Sequence, residues 1–247
     1  VAVGASSLPL SEFSAKFHLM KMTKLLWCLV PLLFWSSCQS IYVPSGPNVP
    51  LMSEGDELQV GMSVGSNGYG AQLAYSPYYH WAITANGSTY SISNGGSFST
   101  NVIFRHMYGE VGTGYYTRLS KYMRFEALAG FGSGNSGHPI DDKNLYRKFY
   151  FQPSIGVSSP YVDFGFTPRL SWVNHYLTKS NDVPAKFDES AVFMEPTLTA
   201  RLGYEQLKLQ VQGGLAFALG DSPFTYRNSF LTVGFHLTFV KDFEKYR

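Results

Sequence analysis

The stretch His106–Gly132 contains the feature that most limits the possible folds, a strict alternation of two kinds of side chain. One set is mostly apolar or aromatic, and comprises Met107, Val111, Thr113, Tyr115, Met123, Phe125, Ala127, Ala129 and Phe131. The other set is charged and glycine-rich, and comprises His106, Glu110, Arg118, Arg124 and Glu126, with Gly112, Gly114 and Gly130 between them. Because successive side chains of a strand point to opposite faces, the pattern predicts two strands joined by a tight turn near Leu119–Lys121. A transmembrane β-barrel needs such strands, with an apolar face toward lipid and a polar face toward the lumen.

The same alternation recurs between turn residues over most of 57–240. It predicts an all-β fold, an antiparallel up-and-down transmembrane β-barrel of about ten strands, with roughly eight to twelve possible. Asn67-Gly68 is a strong hairpin turn. Elsewhere short turns alternate with three long polar loops, predicted at Asn94–Arg105, Ser133–Leu145 and Leu177–Glu189. Outer-membrane barrels show this asymmetry, with short periplasmic turns and longer extracellular loops. We expect the three long loops to be the contact surfaces.

Three prolines lie inside predicted strands, at Pro153, Pro168 and Pro196. Each removes one backbone donor from a sheet ladder, and such positions are usually bulged. Pro168 and Pro196 are equally distant from residue 182, the middle of the loop between them. We therefore expect them at one height on neighbouring strands, with a local bend there.

Composition agrees with a membrane barrel. Charged residues make up 15% of the 247-residue chain and aromatic residues 16%, a balance more typical of such barrels than of soluble domains. The net charge of +2, without any basic run, gives no indication of a nucleic-acid partner. Alternation alone does not say which face points inward, so a soluble lipoprotein β-domain that buries its apolar face is the alternative.

The N-terminal region predicts export. Residues 1–19 show no usable pattern and are interpreted as an upstream segment that is untranslated or unstructured. Residues 20–37 form a signal peptide with Lys21 and Lys24 before the apolar stretch Leu25–Trp35, which is too short to span a bilayer. Small residues directly before Cys38 resemble a lipoprotein signal, which would make Cys38 the lipidated N-terminus of the mature chain. We expect that lipid in the periplasmic leaflet.

Residues 38–56 are predicted to be a proline-rich extended linker outside the core. They are followed by the barrel at 57–241 and a periplasmic tail at 242–247. The text CQSIYVPSGPNVPL resembles a segment of small outer-membrane β-barrel proteins of the Bacteroidota, which have a signal, a cysteine, an I-Y-V-P…N-x-P-L stretch and then a barrel. The resemblance spans most of 20–240, but only this stretch is distinctive. The family has no established activity, so the resemblance implies a fold and a location.

Charges on the polar face are predicted to lie in the lumen and to pair there. They are Glu110, Arg118, Arg124, Glu126, Lys148, Asp163, Arg169, Glu195, Arg201 and Lys208. Buried charges are retained when they are paired or hydrogen-bonded, and a barrel of this size is largely filled by side chains. Glycines on the same face would make room for the arginines and for Tyr150. The pattern predicts a plugged interior with little or no conductance.

Motifs for catalysis are weak. The run Gly132–Gly137 matches G-x-G-x-x-G, but loop-like text follows it, so a glycine loop is the better interpretation. The histidines have no metal-site spacing, and neither a metal nor a cofactor is predicted. Some ten-stranded barrels are omptin-like proteases with aspartates and a His–Asp couple at the rim, and others modify lipid A. Candidate rim residues here are His138, Asp141, Asp142, His175, Asp182 and Asp188.

The sequence therefore predicts a non-enzymatic outer-membrane barrel lipoprotein with a plugged polar lumen. Such a protein would be structural, an accessory subunit of a larger outer-membrane complex, or a surface binder. The alternatives are a narrow channel and a rim-active protease or lipid A-modifying enzyme. Outer-membrane lipid and possible complex subunits are the expected partners.

Overall fold

A computed structural model describes residues 40–93, 102–138, 142–180 and 183–240 of the chain. All of the regular structure described in these ranges is β. The strands are β1 (Glu57–Gly65), β2 (Gly68–Tyr78), β3 (Trp81–Ser93), β4 (Val102–Arg118), β5 (Met123–Gly137), β6 (Asp142–Ser158), β7 (Val162–Ser180), β8 (Val183–Tyr204), β9 (Leu207–Leu215), β10 (Phe217–Ala218) and β11 (Ser229–Phe239). Within these residues no helix has the length and apolarity needed to cross a membrane.

The strands close into one antiparallel barrel. Strands β1 to β8 pair in chain order, β8 pairs with β9, β9 with β11, and β11 with β1. The short β10 continues β9 beyond Ala216 and pairs with β8 in the same register. The described residues thus form a closed ten-stranded barrel, which confirms the predicted all-β up-and-down fold.

The outer face of the wall is apolar and the inner face is polar, which is the reverse of a soluble protein. Outward side chains are apolar and exposed along most of the strands, as Phe151, Phe164 and Leu198 show at about half exposure. Inward side chains are mostly polar or charged and are buried, as Arg169 and Gln212 show. The apolar half of each strand pattern therefore faces outward, so the soluble alternative, which would bury that face, does not describe this wall.

The two ends of the barrel differ. At one end, here called the short-turn end, the connections are 79–80, 119–122, 159–161 and 205–206. The other end, here called the loop end, has the connections 66–67, 94–101, 138–141, 181–182 and 219–228. Because β1 begins and β11 ends at the short-turn end, both termini of the wall lie there.

Strands at the loop end are longer than predicted. Ser133–Gly137 belongs to β5 and Asp142–Leu145 to β6, so most of one predicted loop is strand. Most of Leu177–Glu189 is likewise strand, in β7 and β8. Most side chains in these extensions are polar, with a few apolar exceptions such as Leu145, Val183 and Phe187, so the apolar–polar alternation by which strands are recognised is weak there.

The prolines lie on one level but do not bend the sheet by a change of register. Pro168 is the direct partner of Pro196, and the β7–β8 register runs through this level without a shift. Between β6 and β7 the ladder pairs stop at Phe151 and Leu170 and resume in the same register closer to the short-turn end. The prediction of a common height is confirmed, whereas the predicted bulge is wrong for β7–β8. The β6–β7 ladder loses pairs at this level, and neither register needs an extra residue there.

Candidate functional site

The lumen is filled by the chain that precedes the barrel. Residues 40–54, here called the plug segment, lie inside the wall, and Tyr42, Val43, Val49, Leu51 and Met52 are at most 3% exposed. The prediction that this stretch is a linker outside the core is therefore wrong. It is extended, as its prolines indicate, but its backbone is bound by inward side chains of the wall. The processing of residues 1–39, including lipidation of Cys38, lies outside the described residues.

Amide side chains of the wall hold the backbone of the plug segment. Gln72 Nε2 donates to the carbonyls of Gly46 and Pro47 at 3.2 and 3.1 Å. Gln152 Nε2 donates to the Asn48 carbonyl at 2.7 Å, and Gln212 Nε2 donates to the Pro47 carbonyl at 2.9 Å. An extended segment has no internal partners for its carbonyls, so inward amides supply them in a space closed to water.

A bidentate ion pair joins two strands across the lumen. Arg169 donates to both carboxylate oxygens of Glu110, each at 3.0 Å, and both side chains are 1% exposed. Its Nε also donates to Gln152 Oε1 at 2.9 Å. The guanidinium lies 4.3 Å from the ring centre of Tyr150. A bidentate pair with a cation–π contact is a favourable way to bury an arginine.

A second cluster ties the start of the plug segment to the wall. Lys148 Nζ donates to Glu195 Oε2 at 3.1 Å and to the Tyr42 hydroxyl at 2.8 Å. The Tyr42 hydroxyl donates to the other Glu195 oxygen. Ser171 Oγ donates to Glu195 at 2.8 Å, so this buried carboxylate has three donors. Tyr42 is the one member of this cluster that belongs to the stretch predicted to lie outside the barrel.

The other predicted lumen charges form ion pairs with one another or hydrogen bonds to the plug segment. Asp163 accepts from Lys208 Nζ at 2.6 Å and lies 3.7 Å from Arg201 Nη1. Arg201 also donates to the Val49 carbonyl of the plug segment. Glu126 accepts from the Met52 backbone N–H at 2.8 Å, and no ion pair of Glu126 is found within the described residues.

Two predicted lumen arginines lie at the short-turn end instead of in the middle. Arg118 pairs with Glu54 and keeps 34% of its side chain exposed. Arg124 donates to Ser53 Oγ at 2.9 Å and to backbone carbonyls of the adjacent turn. Both therefore bind the last residues of the plug segment where these leave the lumen.

Large tyrosines lie against inward glycines. The Tyr150 hydroxyl occupies the space that a Cβ on Gly112 or Gly130 would need, and Tyr146 does the same at Gly134. Gly132 and Gly134 belong to β5, so the G-x-G-x-x-G run is not the glycine loop predicted from the sequence. Its glycines admit aromatic rings into the lumen, which is a packing role.

Rim residues form small polar groups at the loop end. His175 lies 3.3 Å from Glu189 and 3.1 Å from Thr178 Oγ1, and Asp188 accepts from Asn174 at 2.9 Å. Asp141, Asp182 and the side chain of Asp142 are outside the described residues. Across the described part of the chain, no group of three or more His, Cys, Asp or Glu side chains is arranged to hold a metal ion.

A signal for the plug segment is visible in retrospect. Five inward positions carry glutamine, at Gln59, Gln72, Gln152, Gln210 and Gln212. Ion pairs among the inward charges do not require this many amide side chains. Buried amides need partners with both donors and acceptors, and an extended backbone offers them. Sequence alone gave no reason to choose the proline-rich stretch as that backbone.

No protein-family model matches the chain, and no curated protein sequence matches it. Among solved structures, the translocator domain of the autotransporter NalP from Neisseria meningitidis is similar, with 9% identity, a TM-score of 0.41 and coverage of 92% of this chain and 97% of that one. Ail, the attachment invasion locus protein of Yersinia pestis, has 10% identity, a TM-score of 0.32 and coverage of 76% and 100%. LpxR from Salmonella typhimurium has 6% identity, a TM-score of 0.35 and coverage of 73% and 99%. At these identities the likeness concerns the fold alone.

Proposed function

We propose that this protein is a non-conducting outer-membrane β-barrel without a catalytic role, closed by its own N-terminal segment. It would serve as a membrane anchor that holds the plug segment and the loop end in place for binding partners. The observation that carries the proposal is the burial of the plug segment along the lumen, where wall side chains bind its backbone from Ile41 to Glu54.

The membrane location is supported by the inverted polarity of the wall. An apolar exterior surrounds a polar, buried interior, and exposure of such an exterior to water would be strongly unfavourable. A closed barrel also satisfies every wall strand on both edges, which a lipid environment requires. The short-turn end would then face the periplasm and the loop end the outside.

The absence of conductance is supported by the contacts that fill the lumen. A barrel of about ten strands has an interior of a size that side chains can fill, and here a peptide segment occupies it as well. Charges of both signs are paired in the interior, whereas an ion pathway needs an open, aligned polar surface. Lipidation of Cys38 and membership of a larger outer-membrane complex are further parts of the proposal.

Planar-bilayer recording tests the proposal directly. Purified wild-type protein should give no reproducible single-channel steps, and it should migrate faster on a gel unboiled than boiled. A variant lacking residues 40–52 should form the same heat-modifiable barrel but admit ions, because the lumen loses its filling. Steady single-channel steps from the wild type would replace the anchor function with transport. Release of the protein by a high-salt wash would overturn the membrane location.

A further inference from the structure

The first residues of the plug segment lie at the loop end. The Ile41 and Tyr42 backbone N–H groups donate to the Thr225 carbonyl at 3.0 and 3.2 Å. Thr225 belongs to the loop-end connection 219–228. Ser136 Oγ, near the loop end of β5, donates to the Ile41 carbonyl at 2.8 Å. The Arg227 N–H donates to the Tyr42 carbonyl at 2.9 Å, so this part of the segment is fixed from several sides.

The last residues of the plug segment lie at the opposite end. The Ser53 backbone N–H donates to Glu57, the first residue of β1, at 2.8 Å. The Tyr116 hydroxyl, near the short-turn end of β4, donates to the Glu54 carbonyl at 2.6 Å. Since Gln72, Gln152 and their neighbours hold the residues between, the segment crosses the whole lumen once. It then reverses at the short-turn end to begin β1.

Chain length fixes where the preceding residues can go. The eleven steps from Tyr42 to Ser53 can span at most about 40 Å, which is enough to pass an apolar band of about 25 Å. Cys38 precedes Ser40 by two residues, a reach of roughly 7 Å. Ser40 is 8% exposed, and the N–H of its neighbour Ile41 is bound to Thr225 at the loop end. Two residues cannot return to the short-turn end.

We propose that the N-terminal end of the mature chain emerges at the loop end of the barrel, on the opposite side of the membrane from the end of β11. A lipid on Cys38 would therefore enter the outer leaflet, and not the periplasmic leaflet expected from the sequence. The lipid would also hold the plug in place, because acyl chains inserted in the outer leaflet oppose withdrawal of the segment through the lumen. This inference rests on the membrane location in the proposed function.

An epitope placed between Gln39 and Ser40 tests the topology in the full chain. Antibody should bind this epitope on intact cells. The same epitope inserted after Lys121, in a short turn, should be detected only after the outer membrane is permeabilised. If the first epitope also requires permeabilisation while the protein is heat-modifiable and non-conducting, the topology is wrong and the proposed function stands.

A cysteine pair gives a second measurement that does not depend on an insertion. Ile41→Cys with Thr225→Cys should cross-link under oxidation in native membranes, because the two backbones are hydrogen-bonded neighbours. The matched pair Ile41→Cys with Lys121→Cys should not cross-link, since its members are at opposite ends. Cross-linking of the second pair, or of neither pair, would overturn the threaded path.

A different observation carries a second inference, about the outer surface of the wall. Arg105 of β4 is the direct partner of Gly137 of β5, and Lys143 of β6 is the direct partner of Lys179 of β7. The β5–β6 register places Lys143 one step beyond the pair Ser136 and Asn144, next to Gly137. Arg105, Lys143 and Lys179, here called the cation row, therefore lie side by side, with a gap at the glycine.

The cation row lines a hollow of about 260 Å³ at the loop end. No carboxylate lines this hollow within the described residues, and none of the three cations has an ion pair there. Lys143 and Lys179 lie directly opposite each other on adjacent strands, where like charges are unfavourable. An anion in the hollow would remove that repulsion.

Apolar side chains next to the cation row indicate what kind of anion would fit the hollow. Met107 and Leu145 line the same hollow on the side toward the apolar exterior. A ligand that places a phosphate on the cations and hydrocarbon on the apolar side chains would satisfy both parts. We propose that the cation row binds the phosphate of a membrane lipid in the loop-end leaflet. Cationic side chains at a membrane surface attract anionic lipids in this way, and this inference also rests on the membrane location.

Lipid retention tests the second inference. Wild-type protein reconstituted in vesicles of equal phosphatidylglycerol and phosphatidylcholine, then extracted gently, should retain phosphatidylglycerol preferentially in native mass spectrometry. K143Q/K179Q should lower that preference roughly 10- to 30-fold, whereas K143R/K179R should restore it and Lys121→Gln should leave it unchanged. Equal retention by the wild type and the K143Q/K179Q variant would overturn the site. Heat modifiability of each variant shows separately whether the membrane barrel is intact.

Discussion

Replacement of Arg169 by alanine should be among the most destabilising single changes in the lumen. Arg169 makes two charge-assisted hydrogen bonds to Glu110 at 3.0 Å and one to Gln152 at 2.9 Å. It also packs on the Tyr150 ring. The substitution would leave the Glu110 carboxylate buried without its cation.

The expected loss can be estimated from what Glu110 keeps. Tyr108 Oη and Asn86 Nδ2 still donate to it, at 2.6 and 3.1 Å. Breaking a buried pair by removing one partner costs about 3–5 kcal/mol. Because two neutral donors remain on Glu110, we expect about 3 kcal/mol, the lower part of that range.

The matched control is Arg118→Ala at the short-turn end. Arg118 also forms an ion pair, with Glu54, but a third of its side chain is exposed. Exposed pairs contribute about 0–1 kcal/mol, so this variant should unfold close to the wild type. A double variant, Glu110→Gln with Arg169→Met, should recover part of the loss, since it removes the buried charge together with its partner.

Reversible urea unfolding in lipid vesicles provides the measurement. Trp81 and Trp172 lie on the described wall and report unfolding by fluorescence, and linear extrapolation gives the free energy of unfolding. If Arg169→Ala and Arg118→Ala lose the same small amount, water reaches the centre of the lumen and the closed interior is wrong.

Two other changes test the packing and the membrane exterior. Gly134→Ala should destabilise the barrel by about 1–3 kcal/mol, because the added Cβ would lie 2.4 Å from the Tyr146 ring. Gly109→Ala is the control in the same urea titration, because a Cβ at Gly109 would have no atom within 4 Å. Phe151→Arg on the outward face should cost about 2–4 kcal/mol in a bilayer, while Tyr204→Arg at the short-turn end should cost roughly 0–1 kcal/mol. Equal effects of the two arginines on unfolding in vesicles would show that Phe151 does not face lipid.

The wall of this protein could be predicted because its physics is local. Each strand of the wall has one face toward lipid and one toward the lumen. The alternation from Met107 to Phe131 therefore predicts both the strands and which of their faces meets lipid. The same rule failed at Ser133–Leu145 and Leu177–Glu189, where most side chains are polar and the apolar–polar alternation is weak. There the hydrogen bonds to neighbouring strands define the structure, and these depend on register, not on local pattern.

The interior was predicted as a set of charges, and only the tertiary structure decided their partners. Glu110 meets Arg169 across the lumen, from strands that are not neighbours in the sheet, and Glu126 meets the backbone of Met52. The prediction and the structure differ most at residues 40–54. Their prolines predict an extended chain, but this conformation fits a solvated linker and a segment inside the lumen equally well. Local sequence determines that such a segment is extended, but whether it is solvated or enclosed depends on donors that lie far away in the chain, such as Gln72, Gln152 and Gln212. Those donors come together when the barrel closes, and the closed barrel holds Ile41 and Tyr42 at the loop end.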